Sequence, residues 1–106
     1  MGRTRQAMAA TALGSFTATA NGTNQVMTTP MNGTFYLRGT FVATVVLEAS
    51  DDGVTYSTVK DVNGTAVSLT APGAVNVTGC FPNVRARCSA FTSGTAVATF
   101  AQAPVA

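Results

Sequence analysis

The chain has 106 residues, of which 46% are apolar and 9% charged, with a net charge of +2. That length suits one domain with a core that needs no metal or disulfide, and a charged share far under the usual quarter or so excludes a disordered polyelectrolyte. The basic residues Arg3, Arg5, Arg38, Lys60, Arg85 and Arg87 are scattered along the sequence, which argues against the basic stripe of a specific nucleic-acid binder.

Residues 1–11 read as a flexible arm. The start is basic, at Arg3 and Arg5, but the stretch to Leu13 is short and interrupted by Thr11. It lacks the apolar run of a signal peptide, and a weak helical pattern over residues 5–12 has no cap or apolar face. Gly2 invites a myristoylation reading, but Gln6 stands where that motif wants Ser or Thr. No run of 18 apolar residues is present, so no membrane-spanning helix is expected.

Strand patterns dominate from there on. Residues 15–20 and 25–29 read as strands flanking Asn21-Gly22. Residues 33–50 alternate strictly, with Phe35, Leu37, Gly39, Phe41, Ala43, Val45 and Leu47 on one face. That face is wholly apolar and belongs in a core. The other face, Tyr36, Arg38, Thr40, Val42, Thr44, Val46 and Glu48, is mixed and more apolar than an ordinary wet surface. Gly39-Thr40 marks a break or bulge that divides the run into two strands.

Asp51-Asp52-Gly53 then reads as a hairpin turn into residues 54–60. Further turns fall at Asn63-Gly64-Thr65, at Ala71-Pro72-Gly73, at Phe81-Pro82-Asn83 and at Ser93-Gly94. They separate strands at residues 66–70, 74–78, 84–92 and 95–101. Over 84–92 the alternation puts Val84, Ala86, Cys88 and Ala90 against Arg85, Arg87, Ser89 and Phe91. Residues 103–106, with Pro104, read as a loose tail. The expected fold is all-β, a compact antiparallel sandwich over residues 12–102, jelly-roll or immunoglobulin-like, with about eight short strands and turn signals roughly every ten residues.

The catalytic inventory is poor: no histidine, no tryptophan, one lysine and four carboxylates, Glu48, Asp51, Asp52 and Asp61. Asp51 and Asp52 are adjacent, so on a strand they face opposite ways, and in a turn they cap backbone amides. Ser50-Asp51-Asp52-Gly53 offers oxygens but not the six to eight ligands of a calcium site. Cys80 and Cys88 lack the partners for zinc and read as buried thiols, with a disulfide left open. Cys88 has no base to activate it as a nucleophile. The sequons at Asn21, Asn32, Asn63 and Asn76 read as turn chemistry. Arg85 and Arg87 read first as a solvated strand face that discourages edge pairing. A sharper reading makes them salt-bridge to Glu48 or Asp61 of a neighbouring subunit. No catalytic residue, metal site or cofactor is expected.

Residues 39–50, GTFVATVVLEAS, followed by Asp52-Gly53-Val54-Thr55-Tyr56, and then residues 84–95, VRARCSAFTSGT, resemble the small β-sandwich virion structural proteins of tailed bacteriophages. The matches span residues 33–101. The family often has a double glycine and a tryptophan after the turn, where this chain has Gly53 alone and Tyr56. The resemblance implies a virion component assembled in the host cytoplasm. The leading expectation is a non-enzymatic capsid decoration or cement protein. It would bind the major capsid protein as a homo-oligomer, without specific nucleic acid or membrane contact. The candidate interface residues are Arg3, Arg5, Tyr36, Arg38, Val42, Val46, Arg85 and Arg87. The alternatives are a tail or fibre module that binds a host receptor or glycan, and a head–tail connector or tail-tube component.

Overall fold

An apolar face alternating over eighteen residues demands extended chain with one side buried. The computed structural model describes residues 9–26, 33–77 and 82–102. It turns that stretch into two strands that lie in different sheets. In chain order the strands are β1 (Ala9–Phe16), β2 (Ala20–Asn21), β3 (Gln25–Val26), β4 (Gly33–Arg38), β5 (Phe41–Ser50), β6 (Ser57–Thr58), β7 (Ser68–Leu69), β8 (Gly73–Val77), β9 (Asn83–Gly94) and β10 (Ala96–Gln102). Every pairing is antiparallel. The first sheet runs β1-β10-β4-β8. The second runs β2-β9-β5-β6, with β3 also on β9 and β7 also on β5. The all-β class expected from the alternation is what the structure has. The strands number ten, and three of the four two-residue strands, β3, β6 and β7, are short remnants of the segments read as strands at 25–29, 54–60 and 66–70.

Both sheets use the same chain segments in the same order. Residues 9–26 pair with β10 through β1 and with β9 through β2 and β3. Residues 33–50 pair with β10 through β4 and with β9 through β5. Long antiparallel strands therefore cross from one sheet to the other, and residues 83–102 lie between the other two. At the crossing the register is unbroken, with Arg38 opposite Val97 and Phe41 opposite Gly94. The Thr95 amide donates to the Thr40 carbonyl at 2.9 Å. Gly39 and Gly94 turn the corner with φ of 110° and 89°, a region that side chains disfavour. A Cβ on Gly39 would overlap the Thr95 carbonyl oxygen, and one on Gly94 would overlap the Thr40 carbonyl oxygen and crowd the Phe41 Cα.

The core lies between the sheets. The first contributes Leu13, Phe16, Phe35, Leu37, Val77, Ala96, Ala98 and Phe100. The second contributes Ala43, Val45, Leu47, Val84, Ala86 and Cys88, and Val59 and Val67 complete the cluster. Phe35 and Phe100 are directly opposite across β4 and β10 and both are fully buried, a cross-strand aromatic pair at the centre of the first sheet.

Four expectations need correction. Residues 9–11, assigned to the arm, belong to β1 and pair with β10; residues 1–8 and 103–106 lie outside the described residues. Residues 15–20, read as one strand, divide between β1, which ends at Phe16, and β2, which begins at Ala20. β2 and β3 both run antiparallel to β9, and the Gly22 amide donates to the Ala86 carbonyl between them at 2.6 Å, so residues 20–26 are one interrupted edge. The turn after Ser50 is wider than Asp51-Asp52-Gly53, because β6 first meets β5 at Ser57 opposite Ala49, which leaves a loop over 51–56 and only Ser57–Thr58 as strand. Finally, Ala90 is exposed and Phe91 packs on the core. Thr44 faces Ala90 while Val45 faces Cys88, which leaves Ser89 as an extra residue. A one-residue bulge inverts the alternation beyond it.

The corner glycines give a direct test. Gly94→Ala is expected to cost about 3 kcal/mol, combining the positive-φ penalty with backbone overlap. Gly64→Ala should cost only about 1–2 kcal/mol, the φ penalty alone, because Gly64 has φ 84° with open space around it. Urea unfolding of both variants measures the difference, and equal costs would contradict the close corner.

Candidate functional site

β5 directs Val42, Thr44, Val46 and Glu48 away from the core, so the register predicts a wet carboxylate at Glu48. Instead Glu48 is 6% exposed. Arg85 stands directly opposite it on β9 and its Nε donates to Glu48 Oε1 at 2.8 Å. Arg87 Nη1 approaches Oε2 at 3.6 Å, a looser ion pair. The Arg85 guanidinium lies over the Tyr56 ring, 3.7 Å from its centroid, a cation–π stack. The Tyr56 hydroxyl donates to Asn24 Oδ1, with the Gly53 carbonyl 3.3 Å away. Asn24 Nδ2 donates to Asn83 Oδ1 at 3.2 Å, and Asn83 Nδ2 to the Ser50 carbonyl at 3.3 Å. The network thus ties the 51–56 loop to β9 and to the chain between β2 and β3.

The loop itself is held by side chains that replace secondary-structure partners. Ser50 Oγ accepts from the amides of Asp52 and Gly53 at 3.1 and 2.8 Å. Asp52 Oδ1 accepts from the amides of Val54 and Thr55 at 2.7 and 2.8 Å and from Ser50 Oγ at 2.8 Å. The amides of Thr55 and Val54, then the Ser50 hydroxyl, hold the Asp52 carboxyl down at about 2. An open depression of about 340 Å³ lies beside the loop, lined by Ala49, Ser50, Asp51, Thr55, Ser57 and Pro82. Asp61 caps its own turn, accepting from the amides of Asn63 and Thr65 at 2.8 and 3.0 Å.

These contacts sort the candidate residues. Arg85 pairs closely with Glu48 of its own chain, Arg87 approaches the same carboxylate more loosely with about half of its side chain exposed, and Asp61 accepts from its own turn. The remaining candidates do not form one surface. Val42 and Val46 share the outer face of the second sheet with Arg87, and Val42 is 58% exposed. Tyr36 and Arg38 lie on the opposite side of the molecule, on the outer face of the first sheet. Arg3 and Arg5 lie outside the described residues. The outer face of the first sheet is built from cross-strand rows, Ala12–Thr99–Tyr36–Ala74 and Ser15–Val97–Arg38, with Thr34 and Asn76 beyond. Its one charged residue among those described is Arg38. Asn24, Tyr56 and Asn83 were not among the candidates, since their meeting depends on a register and a loop shape that no local motif encodes.

The chemistry open to these groups is limited. Glu48, the buried carboxylate, is engaged through both oxygens by guanidinium groups. Cys88 is buried, its thiol directed at the Ala90 carbonyl at 3.3 Å, and burial pushes its pKa up, away from the thiolate that reacts. Cys80 lies outside the described residues. Among the described residues no three of His, Cys, Asp or Glu come together as metal ligands, and no helix is long and apolar enough to cross a membrane. No family model matches the chain, and no curated protein or solved structure matches it either.

Two measurements test the network. The Asp52 carboxyl should titrate with a midpoint near 2 by carboxyl-carbon NMR, and Ser50→Ala should raise that midpoint. Because the folded value lies below the ordinary 3.8, the ionised loop contributes its full stability above that pH and loses it as pH falls towards 2. Separately, Glu48→Ala strands Arg85 on a largely covered surface. It should cost about 2–3 kcal/mol, somewhat less than a fully buried pair because Arg85 keeps some solvent. A change within about 0.5 kcal/mol, as at ordinary surface sites, would refute the structural role of the pair.

Proposed function

We propose that this chain is a non-enzymatic structural protein of a tailed-bacteriophage virion, acting as a decoration or cement protein on the assembled head. The observation that carries the reading is the outer face of the first sheet. It is four strands wide, made mostly of small or uncharged residues such as Ala12, Ser15, Thr34, Ala74 and Thr99, and bears Arg38 as its one charge among the described residues. Desolvating such a surface costs little, which suits a protein whose task is to lie against other protein. The charges that could oppose burial on the second sheet are drawn together at Glu48, Arg85 and Arg87. The sequence resemblance supports the same reading, and its residues are those of β5, the 51–56 loop and β9. The major capsid protein is the partner, and several copies of this chain act together around a symmetry axis. No cofactor takes part.

A receptor- or glycan-binding module stands second. Such a site uses exposed aromatic rings in a concave surface, whereas Tyr56 is spent beneath Arg85 and Tyr36 sits on a sheet face. A connector or tail-tube role would use the same faces in a ring of fixed number.

Cosedimentation with empty heads of the phage that encodes the chain tests the proposal. The expected result is saturable binding at a stoichiometry set by the head lattice, weakened at least about tenfold by Tyr36→Glu, since burying an unpaired carboxylate costs more than a factor of ten in affinity. Absence of binding to heads, or localisation of the labelled protein to the tail by electron microscopy, would overturn it.

A further inference from the structure

The two sheets treat their edges differently. In the second, the free side of β9 is covered by β2 and β3, and the free side of β5 by β6 and β7. In the first, the edges are β1 and β8. β1 carries a bulge between Ala12 and Gly14, a device that spoils edge pairing. β8 has none. Its five residues, Gly73-Ala74-Val75-Asn76-Val77, pair with β4 in unbroken register and include no charge and no proline. Among the described residues nothing pairs with its other side. A regular, uncharged edge presents unpaired N–H and C=O groups to another strand.

We propose that β8 is a self-association edge, where two copies of this chain pair antiparallel about a two-fold axis through Val75 and join their first sheets into one eight-stranded sheet. A second copy is the occupant the sequence fits. Antiparallel pairing about Val75 sets Ala74 opposite Asn76 of the second copy and Gly73 opposite its Val77, so small residues meet larger ones on both faces. Gly73 has open space around it, so nothing in the chain itself obstructs an approaching strand at that end of β8. Val75, half-buried against its own core, meets its counterpart on the inner side. In a two-fold interface like meets like, and a charged edge would repel itself; this one carries no charge to repel. The inference specifies the self-association within the proposed function. It can fail without affecting head binding, because its test contains no heads.

The test is sedimentation of the purified full chain. The interface is small, so weak association is expected, with the mass rising towards two chains between about 10 µM and 1 mM. Ala74→Lys with Asn76→Lys places like charges directly opposite and should abolish the rise. Ala74→Lys with Asn76→Glu places opposite charges across the same pairs and should restore it. Both positions face solvent, and a thermal melt confirms that each variant is folded. A wild-type chain that stays monomeric at about 1 mM, a Lys/Lys variant that associates like wild type, or a Lys/Glu variant that does not recover would each overturn the proposal.

Discussion

The Thr95 amide and the Thr40 carbonyl meet where two chain segments turn together from one sheet into the other. Around that bond the backbones approach so closely that only glycine fits at 39 and 94. The register passes through the corner itself without slipping and shifts only beyond it, where Thr92 and Ser89 are extra residues on β9. The strand order of the second sheet then follows from that of the first, because the same segments continue into it. Residues 83–102 hold the middle place, and residues 9–26 and 33–50 flank them. The apolar face of residues 33–50 stays inward through the corner, which is why one alternating pattern in that segment serves two sheets.

The second sheet carries the polar counterpart of this arrangement. Glu48 and Arg85 face each other across its central strands, on the side turned from the core. Left open to water, such a pair would contribute little. Tyr56 covers the guanidinium, and Tyr56 is placed by the loop that Ser50 and Asp52 shape. Asn24 and Asn83 extend the same network to the interrupted edge strand. The loop, the edge and the central strands are thereby fixed to one another by side chains rather than by ladder bonds. Two of the three arginines among the described residues address Glu48 within the chain, and the described outer face of the first sheet keeps Arg38 as its one charge.

Much of the fold was legible because alternation is a local signal. The inward set Phe35, Leu37, Ala43, Val45 and Leu47 follows from period two alone, and Gly39-Thr40 was readable as a break. What the break does was not readable: a kink, a bulge and a passage between sheets all call for the same glycine. The pattern over 84–92 misassigned Ala90 and Phe91 because a bulge at Ser89 leaves no compositional mark. The polar network was least visible of all. Glu48, Tyr56 and Arg85 are far apart in sequence, and their meeting depends on register between β5 and β9 and on a loop that the Asp52-Gly53 pair disguises as a short turn. The candidate interface residues were grouped by exposure, whereas the two sheets send them to opposite sides.

The central place of residues 83–102 bears on how the chain reaches this structure. Neither sheet can close until that segment arrives, since β1 and β4 both need β10 and β2 and β5 both need β9. During synthesis β1, β2 and β3 have no partner within the first eighty residues, and β4 and β5 find there only β8 and the short β6 and β7. Nearly all the stabilising pairings are distant in sequence, which makes for slow folding, and the unpaired strands are exposed to wrong partners meanwhile. The scarcity of charge that suits a packed surface gives the nascent chain little protection in that interval. Folding is therefore deferred to the emergence of the last strands, and a chain cut short before residue 83 lacks the segment around which both sheets assemble.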